Sequence, residues 1–145
     1  MVLDKETSSI EATIAVVGER WTILIVRDIF RGIHRFSQLQ EDLGIAKNLL
    51  SERLAHLVEE GVVERVPYQD RPLRCEYRLT PKGADLSASL IALMKWGDRW
   101  YADDPPTVLV HRTCGTPLDL DPTCPRCSVA VTPGQIRSQN ATEES

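Results

Sequence analysis

Four side chains toward the C-terminal end have the types and spacing of a metal site: His111 and Cys114, nine intervening residues, then Cys124 and Cys127. Soft thiolates with one imidazole, set in two short-spaced pairs, suit tetrahedral Zn2+ with no coordination position left open. Gly115 directly after Cys114, and Pro125 directly after Cys124, fit tight ligand-bearing turns. The stretch from Thr107 to Val131 has little apolar material, so metal would supply folding energy that a core does not. Structural Zn2+ is therefore expected. The competing reading is a degenerate appendage with unligated cysteines. A hydrolytic zinc fits poorly, because such a ligand set leaves no water position and no nearby Glu or His could act as base.

A second group of side chains has the chemistry of base and phosphate reading. Asn48 can pair with adenine, Lys47 and Arg53 can reach phosphate or guanine, and Ser51 can bond either. Arg71 and Arg74 flank Pro72 in a turn from which they could reach a DNA backbone or a minor groove. Asp70 and Glu76 stand close enough in sequence to hold an arginine at home instead. Cys75, the one cysteine outside the metal motif, reads as a small strand residue more readily than as a sensor. Trp21, Trp96, Trp100 and Tyr101 could line an effector pocket near a dimer interface, although aromatic residues at helical spacing are usually core.

The elements that must position these residues follow from periodicity and punctuation. Ser8 and Glu11 have capping-box spacing, and Ile10, Ile14 and Val17 recur at helical intervals, so a first helix ends at Gly18. A second spans Trp21 to Phe30. Ser37 with Gln40 repeats the capping box and opens a short third helix that Gly44 ends. The fourth, about Ala46 to Glu60, buries Leu50, Leu54 and Leu57 and turns Asn48, Glu52, Ala55 and Glu59 outward, with Lys47 and Ser51 on one flank and Arg53 on the other. Strands over Val62–Val66 and Cys75–Leu79, separated by Pro67 to Pro72, make a hairpin. Thr80-Pro81 caps and opens a long fifth helix, with Leu86, Leu90, Leu93, Met94 and Trp100 on one face, reaching about Tyr101. Asp103-Asp104-Pro105-Pro106 is a linker. No internal repeat is found.

Two helices joined by a short turn and followed at once by a hairpin are the sequence form of a winged helix-turn-helix. The chain has 145 residues, 42% of them hydrophobic, and a net charge of −4, which argues against a protein that coats nucleic acid indiscriminately. The bases gather locally instead: Arg65, Arg71, Arg74, Arg78 and Lys82 outnumber Glu64, Asp70 and Glu76 around the hairpin. No apolar run approaches the roughly 20 residues of a membrane helix, and no secretory leader is seen, so the expected location is cytoplasmic, without membrane.

The residues resemble the HxlR-type branch of the MarR-like winged-helix regulators. Blocks that carry the resemblance are Gly18-Glu19-Arg20-Trp21-Thr22-Ile23-Leu24-Ile25-Val26-Arg27-Asp28, Arg35-Phe36-Ser37-Gln38-Leu39 and Gly44-Ile45-Ala46-Lys47-Asn48-Leu49-Leu50-Ser51-Glu52-Arg53-Leu54. Pro67-Tyr68-Gln69, Glu76-Tyr77-Arg78-Leu79-Thr80-Pro81-Lys82-Gly83 and Trp96-Gly97-Asp98-Arg99-Trp100 continue it, over roughly Ser8 to Tyr101. The resemblance implies a homodimeric transcription factor whose first and fifth helices form the interface. Members of this branch often start the first helix with Cys-Pro-x-Glu, and in some that cysteine senses oxidants or electrophiles. Here the match is Ser8-Ser9-Ile10-Glu11, and a hydroxyl cannot replace a thiolate as redox nucleophile.

The expected architecture is α+β: a winged helix-turn-helix domain with a long dimerisation helix over 8–102, a small zinc-ribbon-like appendage over 107–132, and a disordered tail over 133–145. The expected function is a sequence-specific DNA-binding transcriptional regulator, a repressor by analogy with relatives, and not an enzyme. Its partners would be a second copy of the chain, a palindromic or near-palindromic double-stranded operator, and a small-molecule effector. The alternative is a protein-interaction module on the same scaffold.

Overall fold

The computed structural model of the chain describes residues 8–139. Its helices are α1 Ser9–Val17, α2 Arg20–Phe30, α3 Phe36–Leu43, α4 Lys47–Glu59, α5 Pro81–Ala84 and α6 Ser87–Tyr101. Strands β1 Val63–Asp70 and β2 Leu73–Leu79 lie between α4 and α5 and pair antiparallel. The chain divides into two compact units, one ending at Leu90 and the other beginning at Ile91.

The first unit is the α+β winged helix-turn-helix. Its core draws on Ile25, Val26 and Ile29 of α2, Leu39 of α3, Ile45 of the turn, Leu50, Leu54 and Leu57 of α4, and Val62 and Val63, each at most 3% exposed. Removing such a side chain from water is worth roughly 1.5–3 kcal/mol. The spacing of the three leucines therefore decides which face of α4 is committed to the core and which is left for other work.

Capping holds the early helices. Ser8 Oγ accepts the Glu11 amide at 3.1 Å, and Glu11 Oε2 accepts the Ser8 amide at 2.8 Å, so the expected capping box is present. Glu19 caps α2, one carboxylate oxygen taking the amides of Trp21 and Thr22 and the Thr22 hydroxyl. The His56 ring ties α4 to α1 through Nε2, 3.0 Å from the Val16 carbonyl. A carbonyl only accepts, so the proton there sits on Nε2.

The hairpin differs from its sequence outline. Both strands run further, and the expected turn from Pro67 to Pro72 contracts to a tip at Arg71-Pro72, with Asp70 opposite Leu73. Pro67 stays in the strand, opposite Cys75, and the register slips between Pro67 and Gln69, where Tyr68 is the extra residue. One additional residue in one strand lets pairing continue past a residue without an amide proton.

The long fifth helix is also corrected, into α5 and α6. Thr80 caps α5 through the Gly83 amide, with Pro81 at the first helical position as expected. Thr80 N–H donates to the Val62 carbonyl and Lys82 Nζ to the Glu60 carbonyl, so the first turn is pinned to the end of α4 and the start of β1. The Leu86 amide then bonds back to Gly83 at 3.1 Å, a tightened turn that swings Leu86 and Leu90 against the core. Gly83 is the hinge of this contact: a β-carbon there would lie 2.1 Å from the Val62 carbonyl oxygen.

In the second unit no described residue is buried. Pro133–Gln135 forms a 3-10 turn with its own Thr132–Gln135 capping box at the start of the stretch expected to be disordered. Residues 140–145 of that stretch lie outside the described residues.

Candidate nucleic-acid interface

Between α3 and α4 the chain turns at Gly44, whose φ of +63° closes α3 with its amide on the Gln40 carbonyl at 2.9 Å. Ile45 then drops into the core and Ala46 opens α4. The capping box expected from Ser37 and Gln40 does not form: α3 starts one residue earlier, at Phe36, with Arg35 as its cap residue and no side-chain cap. α4 likewise starts at Ala46 without a side-chain acceptor. Side chains cap α1, α2 and α5, and none caps the two helices of the helix-turn-helix. Uncapped first-turn amides carry partial positive charge and are ready donors to an anion.

Lys47, Asn48 and Ser51 are exposed in the first turns of α4, and none makes a side-chain hydrogen bond or ion pair among the described residues. Arg53 differs. Its Nε lies 3.2 Å from Glu19 Oε2, off the line of a hydrogen bond, and the side chain is only 28% exposed. Glu19 thus caps α2 and holds Arg53 at the same time.

In the hairpin, Arg71 and Arg74 are exposed with no carboxylate within reach among the described residues. The carboxylate that could have held them is engaged elsewhere. Glu76 pairs with Arg78 at 2.7 Å and Arg35 at 3.5 Å. The Arg78 hydrogen bond above all, with Arg35 behind it, holds the Glu76 carboxyl below the usual carboxylate range. The Arg35 guanidinium also lies 4.4 Å from the Tyr68 ring centroid. His34 adds a two-way link: its carbonyl accepts the Tyr77 amide at 2.7 Å, and its Nδ1 lies 3.1 Å from the Tyr77 carbonyl. Arg35, Tyr68 and His34 therefore clamp the wing to the start of α3. Sequence reading missed this clamp because it depends on pairing across more than thirty residues; the lone signal was an aromatic residue after Pro67, out of step with the strand.

A buried charge cluster braces α2 on α3. Asp28 is fully buried, with Arg27 at 2.7 Å and Arg31 at 3.4 Å on one oxygen, and Asp42 of α3 close to both arginines. Burial pushes the Asp28 carboxyl up, against the pull of Arg27. Its other oxygen has no hydrogen-bond partner among the described residues.

Of the aromatic residues expected to line an effector pocket near a dimer interface, Trp21 packs on the core, while Trp96, Trp100 and Tyr101 are more than half exposed. A cavity of ≈ 250 Å³ lies among Ala12, Thr13, Val16, Val62, Lys82 and Leu86.

The metal-motif residues occupy two turns of one design. In the first, Val110 bridges Pro117, the His111 amide donates to the Thr116 carbonyl, and the Gly115 amide donates to the His111 carbonyl. In the second, Thr123 bridges Ala130, the Cys124 amide donates to the Val129 carbonyl, and the Ser128 amide donates to the Cys124 carbonyl. Every partner recurs thirteen residues later, His111 onto Cys124 and Cys114 onto Cys127. This is an internal repeat, contrary to the sequence reading; it is carried by backbone bonds, with few identical side chains. His111 Nδ1 lies 3.1 Å from Cys114 Sγ. The Thr116 hydroxyl and amide, then the His111 ring, bring the Cys114 thiol down to about 7. The amides of Cys127 and Arg126 lower that of Cys124. Among the described residues no three His, Cys, Asp or Glu side chains form a single cluster, so the two pairs stay separate.

Known proteins share this architecture. The model of the HxlR-like helix-turn-helix family matches residues 16–105. The HTH-type transcriptional regulator Rv3095 of Mycobacterium tuberculosis is 46% identical over 129 residues, covering 88% of this chain and 82% of its own. The HTH-type transcriptional regulator YvaP of Bacillus subtilis is 38% identical, covering 62% of this chain and 84% of its own. Among solved structures, the transcription-factor candidate PA1607 superposes with a TM-score of 0.83 at 34% identity, covering 93% of this chain and 96% of that one. No described helix is long and apolar enough to cross a membrane. An α4 with an exposed polar face, a wing with exposed arginines, and a family match over most of the chain lead to one conclusion: the protein belongs to the HxlR-like helix-turn-helix family, and is a DNA-binding transcriptional regulator.

Proposed function

We propose that the protein represses transcription as a homodimer whose two α4 helices enter successive major grooves of a palindromic operator. The observation that carries this reading is the absence of side-chain caps on α3 and α4, beside unpartnered Lys47, Asn48 and Ser51. Phosphate oxygens would take the free amides and set the register, and Asn48 and Lys47 would read base edges. Arg71 and Arg74 would supply sequence-independent contacts from the wing tip, while Arg53, held by Glu19, would fix the pose of α4 more than touch DNA.

Dimerisation is supported by apolar surface that the chain leaves uncovered. Ile10 and Ile14 of α1 and Leu93, Trp96 and Trp100 of α6 are all more than half exposed, and α6 has no buried residue. Closed symmetric association is the ordinary way to cover such faces. Leu86 and Leu90, expected on the same face, serve the core instead. For an effector, the cavity beside Lys82 is the candidate; at ≈ 250 Å³ it suits a small, mostly apolar molecule.

Titrating purified protein against DNA flanking its own gene, at several salt concentrations, tests the reading. A specific complex with a two-fold footprint, whose affinity falls with salt, is expected. Sedimentation of a monomer at micromolar concentration would remove the dimer, and occupancy that raises transcription in a purified polymerase assay would reverse the sign of regulation.

A further inference from the structure

The His and Cys pairs lie in the second unit, apart in sequence from the residues proposed to read DNA. We propose that the duplicated turns are two halves of one structural zinc site, each presenting two ligands, so that His111, Cys114, Cys124 and Cys127 of one chain hold a single Zn2+.

The repeat is the first reason. Two segments of unlike sequence adopt the same hydrogen-bonded turn, and in each the ligand residue types fall at its first and fourth positions. The second reason is backbone conformation. The residue after each second ligand is left-handed: Gly115 at φ +71° and Ser128 at φ +56°. Glycine takes that region freely, whereas a residue with a β-carbon is disfavoured there. Ser128 is the one non-glycine residue with positive φ among the described residues, so the second turn is held to the shape of the first even against preference.

Distance is the third reason. Zn–N near 2.0–2.1 Å and Zn–S near 2.3 Å put two ligand atoms of a tetrahedral site ~3.5 Å apart. His111 Nδ1 and Cys114 Sγ are 3.1 Å apart, already close to a shared-ion spacing. The first half thus has its ligand atoms together, the second shares its backbone turn, and the short connection from Gly115 to Thr123 is what adjusts when both halves close on one ion. The fourth reason is that no apolar core among the described residues orders this stretch. From Ile91 onward no described residue is buried, and Val108, Val110, Leu118, Leu120 and Val129 remain exposed. A closed four-ligand site stabilises such a segment without a core.

Elemental analysis of full-length protein, grown with adequate zinc and purified under reducing conditions, tests this without reference to DNA. About one zinc per chain is expected, and Co2+ exchanged into the site should give a tetrahedral thiolate spectrum. Cys124→Ser/Cys127→Ser and His111→Ala/Cys114→Ser should each lose the metal and become sensitive to protease after Pro106, with helical circular dichroism retained. Cys75→Ser should keep the metal. Zinc retained by either double variant overturns the ligand set. One zinc per two chains overturns the single-chain site, and metal-free protein that also fails to take up Co2+ overturns the proposal altogether. A DNA-binding protein without metal leaves the regulator reading intact, so the two can fail separately.

Discussion

The unit ending at Leu90 and the unit beginning at Ile91 reach order by different routes. In the first, ten apolar side chains from three helices, a turn and the entry to a strand are at most 3% exposed, and side chains cap α1, α2 and α5. In the second, the part of α6 from Ile91 to Tyr101 and two hydrogen-bonded turns carry no buried residue among the described ones. The first unit can be stable from its own sequence. The second has hydrogen-bonded turns and a Lys95–Asp119 ion pair without apolar packing, and it is here that the proposed dimer contact and zinc site would add order. The contrast separates interactions that build the regulator from those that assemble it.

The largest expected effect tests the core side of that contrast. Leu54→Ala should cost about 2–5 kcal/mol in urea denaturation, because the site is closed on all sides. Leu120→Ala in the second unit should stay within about 0.5 kcal/mol. Equal losses would mean that the C-terminal unit has a core of its own.

Next comes the reading face. Asn48→Ala and Lys47→Ala should each weaken operator binding by about 1–3 kcal/mol while leaving denaturation unchanged. Arg74→Ala should weaken operator and unrelated DNA alike and flatten the salt dependence. A mobility-shift titration in which α4 variants match the parent would move the reading function off this helix.

Smaller still is the cap at the start of α1. Ser8→Ala should destabilise by about 1 kcal/mol in thermal melts, through loss of the Glu11 amide's acceptor. The smallest effect is pH-dependent. Glu76 has a folded pKa below its ordinary value of 4.5, so its arginine links stabilise fully above that value and fade as pH falls through the folded one. The stability gap between parent and Glu76→Gln should be flat from neutrality to about pH 5 and shrink in stronger acid. A gap that opened on acidification would contradict the assignment.

Much of the first unit was legible in the sequence because its signals are local. Leu50, Leu54 and Leu57 announce a buried stripe, Ser8 with Glu11 a cap, and Thr80-Pro81 a helix start. The failures share a cause, which is that tertiary contacts overrode local preference. Ser37 has the spacing of a cap, yet Phe36 begins α3. Leu86 and Leu90 have the spacing of an exposed seam, but pinning of α5 to β1 turns them inward. Of the residues expected to read DNA, Lys47, Asn48, Ser51, Arg71 and Arg74 are exposed with no carboxylate partner among the described residues, whereas Arg53 is held by Glu19, a partner thirty-four residues away that no spacing rule would select. The repeat in the second unit was invisible for the opposite reason. It lies in backbone bonds and torsions, which His-x-x-Cys and Cys-x-x-Cys share without sharing side chains.

Gly83 carries a consequence for how this chain can vary. Any single-base change of a glycine codon that alters the residue without ending the chain introduces a β-carbon, and at position 83 each one would meet the Val62 carbonyl at 2.1 Å. Gly97 and Gly134 have nothing within 4 Å of the same atom. In a library of random variants selected for regulation, position 83 should therefore return glycine almost alone, although its neighbours Lys82 and Ala84 are exposed, while 97 and 134 should drift. A four-residue helix that buries no other residue would then be among the least mutable segments of the protein, through the one atom it does without.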